Sequence, residues 1–220
     1  MVARRPGVNR FGVLGDIHAE DRRVAASLRL FAAESVDAIL AVGDVADGAG
    51  DLDRACGLLA SAGALAVRGN HDRWVIAGEM RALPEAHRAE LLAPSTRDFL
   101  ASLPPTRTFS TDRGPLLLCH GLGENDMQRL LPEDEGYELA NNDELHALLA
   151  SPYRFVVAGH THRRMVRRIE QLLVVNAGTL RAADAPACLV LDVSERRARW
   201  YALDDPDVPV LVETVEWDMD

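Results

Sequence analysis

The stretch Ala64-Leu65-Ala66-Val67-Arg68-Gly69-Asn70-His71-Asp72 joins a short apolar run to a turn that carries an amide, an imidazole and a carboxylate in consecutive positions. The apolar run predicts a buried strand, and Gly-Asn is a common turn pair. Three adjacent polar side chains do not fit an apolar core, where each would need its own partner. The stretch therefore predicts a strand whose carboxyl end presents functional groups.

The same arrangement occurs at four other places, where an apolar run stops at a glycine, an aspartate or a histidine. These places are Val13-Leu14-Gly15-Asp16-Ile17-His18, Leu40-Ala41-Val42-Gly43-Asp44, Leu116-Leu117-Leu118-Cys119-His120-Gly121 and Val156-Val157-Ala158-Gly159-His160-Thr161-His162. Five of the seven histidines therefore lie just past predicted strand ends. One Asn-His-Asp turn alone could be ordinary surface structure, but this repetition favours a functional interpretation of all five blocks.

The composition is typical of a globular protein: the chain has 220 residues, of which 48% are hydrophobic and 26% charged. No linker rich in Pro, Gly or Ser divides it, so we expect a single domain over residues 1–220. Its 34 acidic and 24 basic residues give a net charge of -10, which argues against general binding to nucleic acid or an anionic membrane. A small anionic substrate remains compatible, because bound metal ions can invert the local sign of a pocket.

The start of the chain has no signal-peptide apolar region, and no stretch approaches the roughly 20 apolar residues of a membrane span. We therefore expect a cytoplasmic location. The cysteines, Cys56, Cys119 and Cys188, are odd in number and lie in apolar sequence, which favours buried thiols over disulfides or a zinc motif. The oligomeric state is not indicated by the sequence.

Hydrophobic periodicity predicts a parallel sheet at the start of the chain. Strands are expected at 11–14, 38–42 and 64–67, with a helix from Asp21 and another near Leu52 between them, an order typical of right-handed crossovers. Later segments are predicted as follows: a mainly helical region at 73–104, a hairpin at 106–119, a loop over the site at 121–136 and a short helix at 143–149. Six short strands after residue 153 predict a second, largely antiparallel sheet.

In open α/β sheets, ligands bind outside the carboxyl ends of the strands. If this rule applies here, nine polar side chains meet in one cleft: Asp16, His18, Asp44, Asn70, His71, Asp72, His120, His160 and His162. Carboxylates, imidazoles and one amide suit Mn²⁺, Fe or Zn²⁺, and the set contains no thiolate. Two ions are favoured over one, because the donors exceed the roughly four to six that one ion takes and a carboxylate can bridge.

The five blocks, in this order, resemble the five motifs of the calcineurin-like metallophosphoesterases, and the match runs from about residue 11 to 193. The short length and the segment Val175-Asn176-Ala177-Gly178-Thr179 are most similar to the small bacterial and archaeal phosphodiesterase branch. The resemblance implies an α/β fold in which two mixed β-sheets form a sandwich flanked by helices, giving four layers. It also implies a centre of two divalent ions, with manganese expected and iron or zinc as alternatives.

The resemblance assigns a role to each of the nine side chains. The first ion would be held by Asp16, His18 and His162. The second ion would be held by Asn70, His120 and His160, with Asp44 bridging the two. His71 would face the substrate as a catalytic residue without binding metal, and Asp72 would orient its ring.

By the same resemblance, the protein would hydrolyse a small phosphodiester with a hydroxide shared by the two ions, and His71 would assist the leaving oxygen. A phosphomonoesterase or a dinucleoside polyphosphate hydrolase would use the same residues, so both alternatives stay open. A protein-binding scaffold on the same fold is a further alternative. The retromer subunit of this superfamily is such a scaffold and resembles a phosphoesterase that has lost its catalytic histidine. In this chain the corresponding histidine, His71, is present.

Two positions depart from the family pattern. Ala19-Glu20 stands where the family often has Gly-Asn, which puts a substrate contact in doubt, and Ala177 replaces a common proline in the last segment. Several other polar residues are expected to have ordinary surface roles: His87, His146, Arg163-Arg164 and Arg167-Arg168. Asn125 and Asp126 could line the pocket, and Trp74 is expected to pack beneath the helix after His71.

Overall fold

The computed structural model describes residues 7–218, so our expectation for the chain start lies outside the described residues. The helices are α1 (Asp21–Ala33), α2 (Leu52–Ser61), α3 (Asn70–Ala77), α4 (Pro94–Ser102), α5 (Tyr137–Ala140) and α6 (Asp143–Leu149). The strands are β1 (Arg10–Leu14), β2 (Ala38–Ala41), β3 (Leu65–Ala66), β4 (Thr106–Thr111), β5 (Gly114–Cys119), β6 (Phe155–Ala158), β7 (Met165–Ile169), β8 (Leu172–Asn176), β9 (Ala187–Asp192), β10 (Arg197–Ala202) and β11 (Val210–Glu216).

The strands form two mixed sheets, as the resemblance implied. The first has the order β11-β10-β9-β1-β2-β3, with β1, β2 and β3 parallel to one another as predicted. The second has the order β4-β5-β6-β8-β7, with β5, β6 and β8 parallel and an antiparallel strand at each edge.

The prediction that the six late strands form one antiparallel sheet is wrong. Strands β6, β7 and β8 join the hairpin β4-β5, whereas β9 pairs with β1 and extends the first sheet through β10 and β11. Strand β9 is buried along its whole length, and a strand buried on both faces carries no alternation that identifies its sheet.

Three apolar clusters separate four layers of structure. Between the sheets, Phe11 and Val13 of β1 pack with Leu118 of β5 and Val157 of β6. Neighbouring residues on the same strands point the opposite way, because side chains alternate across a strand. Leu14 therefore packs in the cluster that includes residues of α1, α2 and α4, and Leu117 and Val156 pack in the cluster that includes residues of α6.

The register of the parallel strands brings their carboxyl ends to one edge of the sandwich. Leu14 of β1 is paired with Ala41 of β2, and Ala158 of β6 with Asn176 of β8. The loops that follow these strands therefore start side by side. This edge is where the five blocks lie.

The region 73–104 is less helical than we predicted. Helix α3 ends at Ala77 and is capped by Gly78, whose φ of 71° is in the left-handed region, and a short 3₁₀ turn at Ala89–Leu91 precedes α4. The cysteines are free and buried, as expected. Among the described residues, no helix has the length and apolar character needed to cross a membrane.

Candidate metal centre

The structure brings the nine predicted side chains together at the carboxyl edge of the two sheets. Asp16 and His18 follow β1, Asp44 follows β2, and the start of α3 lies next to β3. The second sheet contributes His120 after β5, and His160 and His162 after β6. The strand-end rule therefore predicted correctly that these side chains lie together, while the assignment of individual ligands stays a prediction.

The first group of donor atoms consists of Asp16, His18 and His162, whose ligating atoms all lie within 4.8 Å of one another. His18 Nε2 and His162 Nε2 are 3.1 Å apart, and His162 Nε2 is 3.2 Å from Asp16 Oδ2. The opposite nitrogen of each ring is engaged elsewhere: Nδ1 of His18 donates to the Asp47 carbonyl at 2.8 Å. In the neutral ring this leaves Nε2 as an acceptor that faces other acceptors.

Asp16 gives the clearest sign that a cation belongs in this group. Its carboxylate is fully buried, and among the described residues Oδ2 has no hydrogen-bond donor in suitable geometry. A buried anionic oxygen without a partner is costly, so native structures seldom leave one uncompensated. A divalent ion between Asp16, His18 and His162 would remove that cost, and the carboxylate and imidazole donors suit such an ion.

The second group of donor atoms is centred on Asn70. Its Oδ1 lies 2.9 Å from His120 Nε2 and 3.1 Å from His160 Nδ1. Asp44 Oδ2 is 3.3 Å from the same His120 nitrogen. Nδ1 of His120 donates to the Val42 carbonyl at 2.9 Å, so Nε2 is the ring atom left for a cation.

The electrostatics of the second group also favour a positive charge. Burial lowers the pKa of His120, but Asp44 and Asp16 outweigh it and raise this pKa to about 10. Burial likewise raises the pKa of Asp44, yet His120 brings it well below its ordinary value. In the metal-free protein a proton therefore sits on His120 where a cation would displace it, since metal binding releases protons from its ligands.

Four of the predicted ligands occupy the left-handed backbone region that non-glycine residues seldom adopt. Their φ angles are 46° at His18, 45° at Asp44, 66° at His160 and 58° at His162. Such residues cost on the order of 1 to 3 kcal/mol each and cluster at functional sites. The glycines of the blocks permit this crowding. A Cβ on Gly159 would lie 2.3 Å from Asp16 Oδ1 and 2.5 Å from Val42 Cγ2.

His71 is held by two hydrogen bonds and lies next to the first group of donors. Its backbone N–H donates to Asp44 Oδ1 at 2.9 Å, and its Nδ1 donates to Asp47 Oδ2 at 2.8 Å. Its ring meets that of His18 edge-on, with centroids 5.0 Å apart. The side chain is 22% exposed, and Nε2 is the ring nitrogen left without a contact to Asp47.

The orienting role predicted for Asp72 is wrong, and the structure gives that contact to Asp47. Asp72 is fully buried and its two oxygens accept backbone N–H groups, one from Gly69 and one from Ala46, each at 2.9 Å. As the third residue of α3, Asp72 caps the helix start. Burial raises the pKa of Asp47, but hydrogen bonds from His71, His87 and Arg81 bring it well below its ordinary value.

Asp184 is a second carboxylate that the sequence analysis missed. Its Oδ2 accepts from His162 Nδ1 at 2.9 Å, which turns Nε2 of that ring toward Asp16. Carboxylates commonly orient metal-binding histidines in this way. Glu20, at the position that departs from the family pattern, accepts from the Ala182 backbone N–H at 2.9 Å and so fixes the same loop.

The chain matches the family model described as a calcineurin-like phosphoesterase superfamily domain, and the match covers residues 10–196. The chain belongs to this superfamily. No curated protein matches the sequence.

Solved structures with the same fold include small phosphoesterases of this superfamily. An archaeal phosphodiesterase is 16% identical and has a TM-score of 0.57, with 88% of this chain and 99% of that chain covered. The phosphoesterase Yfce from E. coli is 17% identical and has a TM-score of 0.58, with 94% of this chain and 98% of that chain covered. Vacuolar Protein Sorting 29 from Cryptosporidium parvum is 16% identical and has a TM-score of 0.55, with 96% of this chain and 100% of that chain covered. At these identities the similarity shows the fold alone.

The last segment, which departs from the superfamily pattern at Ala177, still supports the site. Asn176 Nδ2 donates to the Gly159 carbonyl at 2.6 Å, and Thr179 Oγ1 donates to the Asp16 carbonyl at 2.8 Å. The peptide bonds that carry Asp16 and His160 are thereby tied to the end of β8 and to the turn that follows it. These contacts hold the loop in place without the proline.

The remaining predicted surface residues differ in outcome. His146 is exposed on α6, as predicted. The surface role predicted for His87 is wrong, because its Nδ1 accepts the Asp47 N–H at 3.1 Å. The paired arginines contact other protein groups, for example Arg163 with Glu133 and Arg164 with Glu213. Asp126 accepts two hydrogen bonds from Arg73. Trp74 packs edge-on against the His71 ring at 4.9 Å.

Proposed function

We propose that this chain is a metal-dependent phosphoesterase that binds two divalent ions and hydrolyses a small phosphodiester. The observation that carries the proposal is the pair of adjoining donor groups beside His71, one of which contains a buried Asp16 oxygen that has no hydrogen-bond donor among the described residues. The name of the archaeal phosphodiesterase with the same fold supports the choice of a diester. The net charge of -10 favours a small substrate over extended nucleic acid.

The residues of the first group would hold one ion: Asp16, His18 and His162. The residues of the second group would hold the other, namely Asn70, His120 and His160, and Asp44 would contribute its carboxylate to both ions. Bound divalent ions supply neutralisation of the phosphate charge and acidification of the attacking water. Manganese fits these oxygen and imidazole donors, and iron and zinc fit them as well.

His71 contributes a proton at Nε2. Burial lowers the pKa of His71, but the hydrogen bond to Asp47 and the charge of Asp44 raise it above its ordinary value, which favours the protonated ring. With Nδ1 bonded to Asp47, the Nε2 proton is the one available to a leaving oxygen. A general acid of this kind contributes roughly 10² to 10⁴ in rate, and most where the leaving group is a poor one.

The test is a comparison of two substrates after the protein is stripped of metal and reloaded with Mn²⁺. We expect faster turnover of bis(p-nitrophenyl) phosphate than of p-nitrophenyl phosphate. Preference for the monoester would replace the diesterase assignment by a phosphomonoesterase.

His71→Ala separates catalysis from metal binding. We expect full metal content and a fall in kcat by a factor of roughly 10² to 10⁴, with the largest fall for esters of weakly acidic phenols. His146→Ala, at an exposed position on α6, is the matched control and should leave both quantities unchanged. If His71→Ala lost its metal, the role given to His71 would be wrong.

A protein-binding scaffold is the second candidate, because Vacuolar Protein Sorting 29 shares the fold. The anchored His71 and the convergent donor groups argue for catalysis instead. Full metal occupancy without hydrolysis of either ester, with any of the three metals, would favour the scaffold.

A further inference from the structure

Asp47 is held by a segment of the chain that lies outside all five strand-end blocks. Arg81 makes a fork to its carboxylate, with Nη1 donating to Oδ1 at 2.8 Å and Nη2 donating to Oδ2 at 2.9 Å. The backbone N–H of His87 donates to Oδ1 at 2.8 Å. Asp47 Oδ2 thus accepts from both Arg81 Nη2 and His71 Nδ1.

The fork fixes the plane of the Asp47 carboxylate. The terminal torsion of an aspartate is broad and only weakly restrained by its own rotamer preference. A bidentate arginine removes that freedom, because two parallel N–H···O bonds are satisfied in one orientation only. The direction from which Oδ2 reaches His71 therefore depends on Arg81.

Arg81 is engaged on the protein side and is not placed to bind a substrate. Its side chain is 16% exposed, and Nη1 also donates to the His87 carbonyl at 2.7 Å. Nε donates to the Glu79 carbonyl. Both terminal nitrogens thus have partners, so the guanidinium acts on neighbouring protein groups.

We propose that Arg81 is a positioning residue for His71: by locking the Asp47 carboxylate, it sets the orientation of the His71 ring and so the position of its Nε2 proton. This inference rests on the proposed function, in which His71 protonates the leaving oxygen. In this role Arg81 acts through Asp47, so it is a positioning residue and not a catalytic one.

The variants Arg81→Met and Arg81→Lys test the proposal against Arg88→Met as a matched control. Arg88 is an exposed arginine of the same segment, and no ion pair involves it among the described residues. Methionine keeps the length of the side chain without the charge. Lysine keeps the charge but cannot form the two-pronged contact, so it should restore only part of the loss.

The kinetic readout uses two aryl phosphodiesters, one with a p-nitrophenolate and one with an unsubstituted phenolate leaving group. For Arg81→Met we expect kcat to fall about 10-fold to 100-fold with the phenolate ester, and clearly less with the nitrophenolate ester, since misplaced catalytic groups cost up to about 10². KM and metal content should stay at wild-type values. Guanidinium ions should partly rescue an Arg81→Ala variant.

A proton NMR readout of the metal-free protein separates this proposal from the proposed function. The downfield signal of the His71 Nδ1 proton, identified by its loss in His71→Ala, should shift or broaden in Arg81→Met and persist in Arg88→Met. An unchanged signal would overturn the proposal, as would an equal loss of kcat with both esters or a parallel loss of metal. A wild-type protein inactive on both esters would refute the proposed function, while the His71 signal would still decide whether Arg81 positions the ring.

Discussion

Replacing Asp44 by asparagine should remove the stabilisation that metal gives while leaving the metal-free protein nearly as stable as before. Asparagine tolerates the left-handed backbone, φ 45°, that this position requires. Its side-chain oxygen can still accept the His71 N–H that Asp44 Oδ1 accepts at 2.9 Å. Its amide would stand where Oδ2 lies 3.3 Å from His120 Nε2, and it could donate to that nitrogen once His120 has lost its proton.

The size of each effect follows from these contacts. In the metal-free protein a charged pair is exchanged for one neutral hydrogen bond, a change worth about 1 kcal/mol. With Mn²⁺ at 100 times its dissociation constant, the wild-type protein should gain about 2.7 kcal/mol per site. If loss of the bridging charge weakens binding about 100-fold, the same Mn²⁺ concentration stabilises the variant by only about 0.4 kcal/mol.

Thermal unfolding measures both quantities in one titration. For a protein of this size each occupied site should raise the wild-type Tm by roughly 5 to 10 °C on adding Mn²⁺, and the Tm of Asp44→Asn by roughly 1 to 2 °C per site. Asp98→Asn, an exposed carboxylate on α4, is the control and should behave as wild type. An equal Mn²⁺ shift in Asp44→Asn, or a loss above about 3 kcal/mol without metal, would show that Asp44 is a structural ion-pair residue and refute the reasoning.

Two further substitutions probe how the donors are held. Asp184→Asn removes the charge that orients His162, so the affinity for Mn²⁺, measured by calorimetry, should fall about 10-fold to 100-fold; unchanged affinity would contradict that role. Gly159→Ala would press a methyl group against the Asp16 carboxylate, and we expect a loss of metal binding with about 1 to 3 kcal/mol of destabilisation in urea. Its matched control is Gly57→Ala on α2, where a Cβ meets nothing within 4 Å. The higher helix propensity of alanine should raise the free energy of unfolding of this control by roughly 0.5 to 1 kcal/mol. Wild-type metal content in Gly159→Ala would show that the turn can relax.

The first half of the fold could be predicted from sequence because its signals are local. The periodicities of α1 and α2 and the apolar runs of β1, β2 and β3 fix a parallel sheet without knowledge of distant residues. The placement of β9 could not be predicted in this way. Its pairing with β1 joins residues far apart in the chain, and its burial on both faces removes the alternation that would have identified its neighbours.

The site shows the same division between local and distant information. Polar groups that directly follow apolar runs must emerge at strand ends, so the nine side chains could be gathered by position alone. Which carboxylate reaches His71 depends on the direction of α3. There the helix start turns Asp72 back to the Gly69 N–H, while Asp47, from the loop after β2, meets the ring. The sequence offers one signal for Asp47, which lies three residues after Asp44 and directly before a glycine. It offers no such signal for Asp184.

The geometry of the donor groups comes from the fold, because the turns that carry them are strained. A left-handed residue such as His18 or His160 persists only where its surroundings over-determine it. Here the surroundings are backbone hydrogen bonds between turns: His18 N–H donates to the Asp44 carbonyl at 2.8 Å, and Asp16 N–H donates to the Gly178 carbonyl at 3.2 Å. Each turn is therefore fixed by a turn from another strand. Since the sheets have already met the cost of ordering these side chains, a cation that enters has to order little, and its binding energy is retained as affinity and stability.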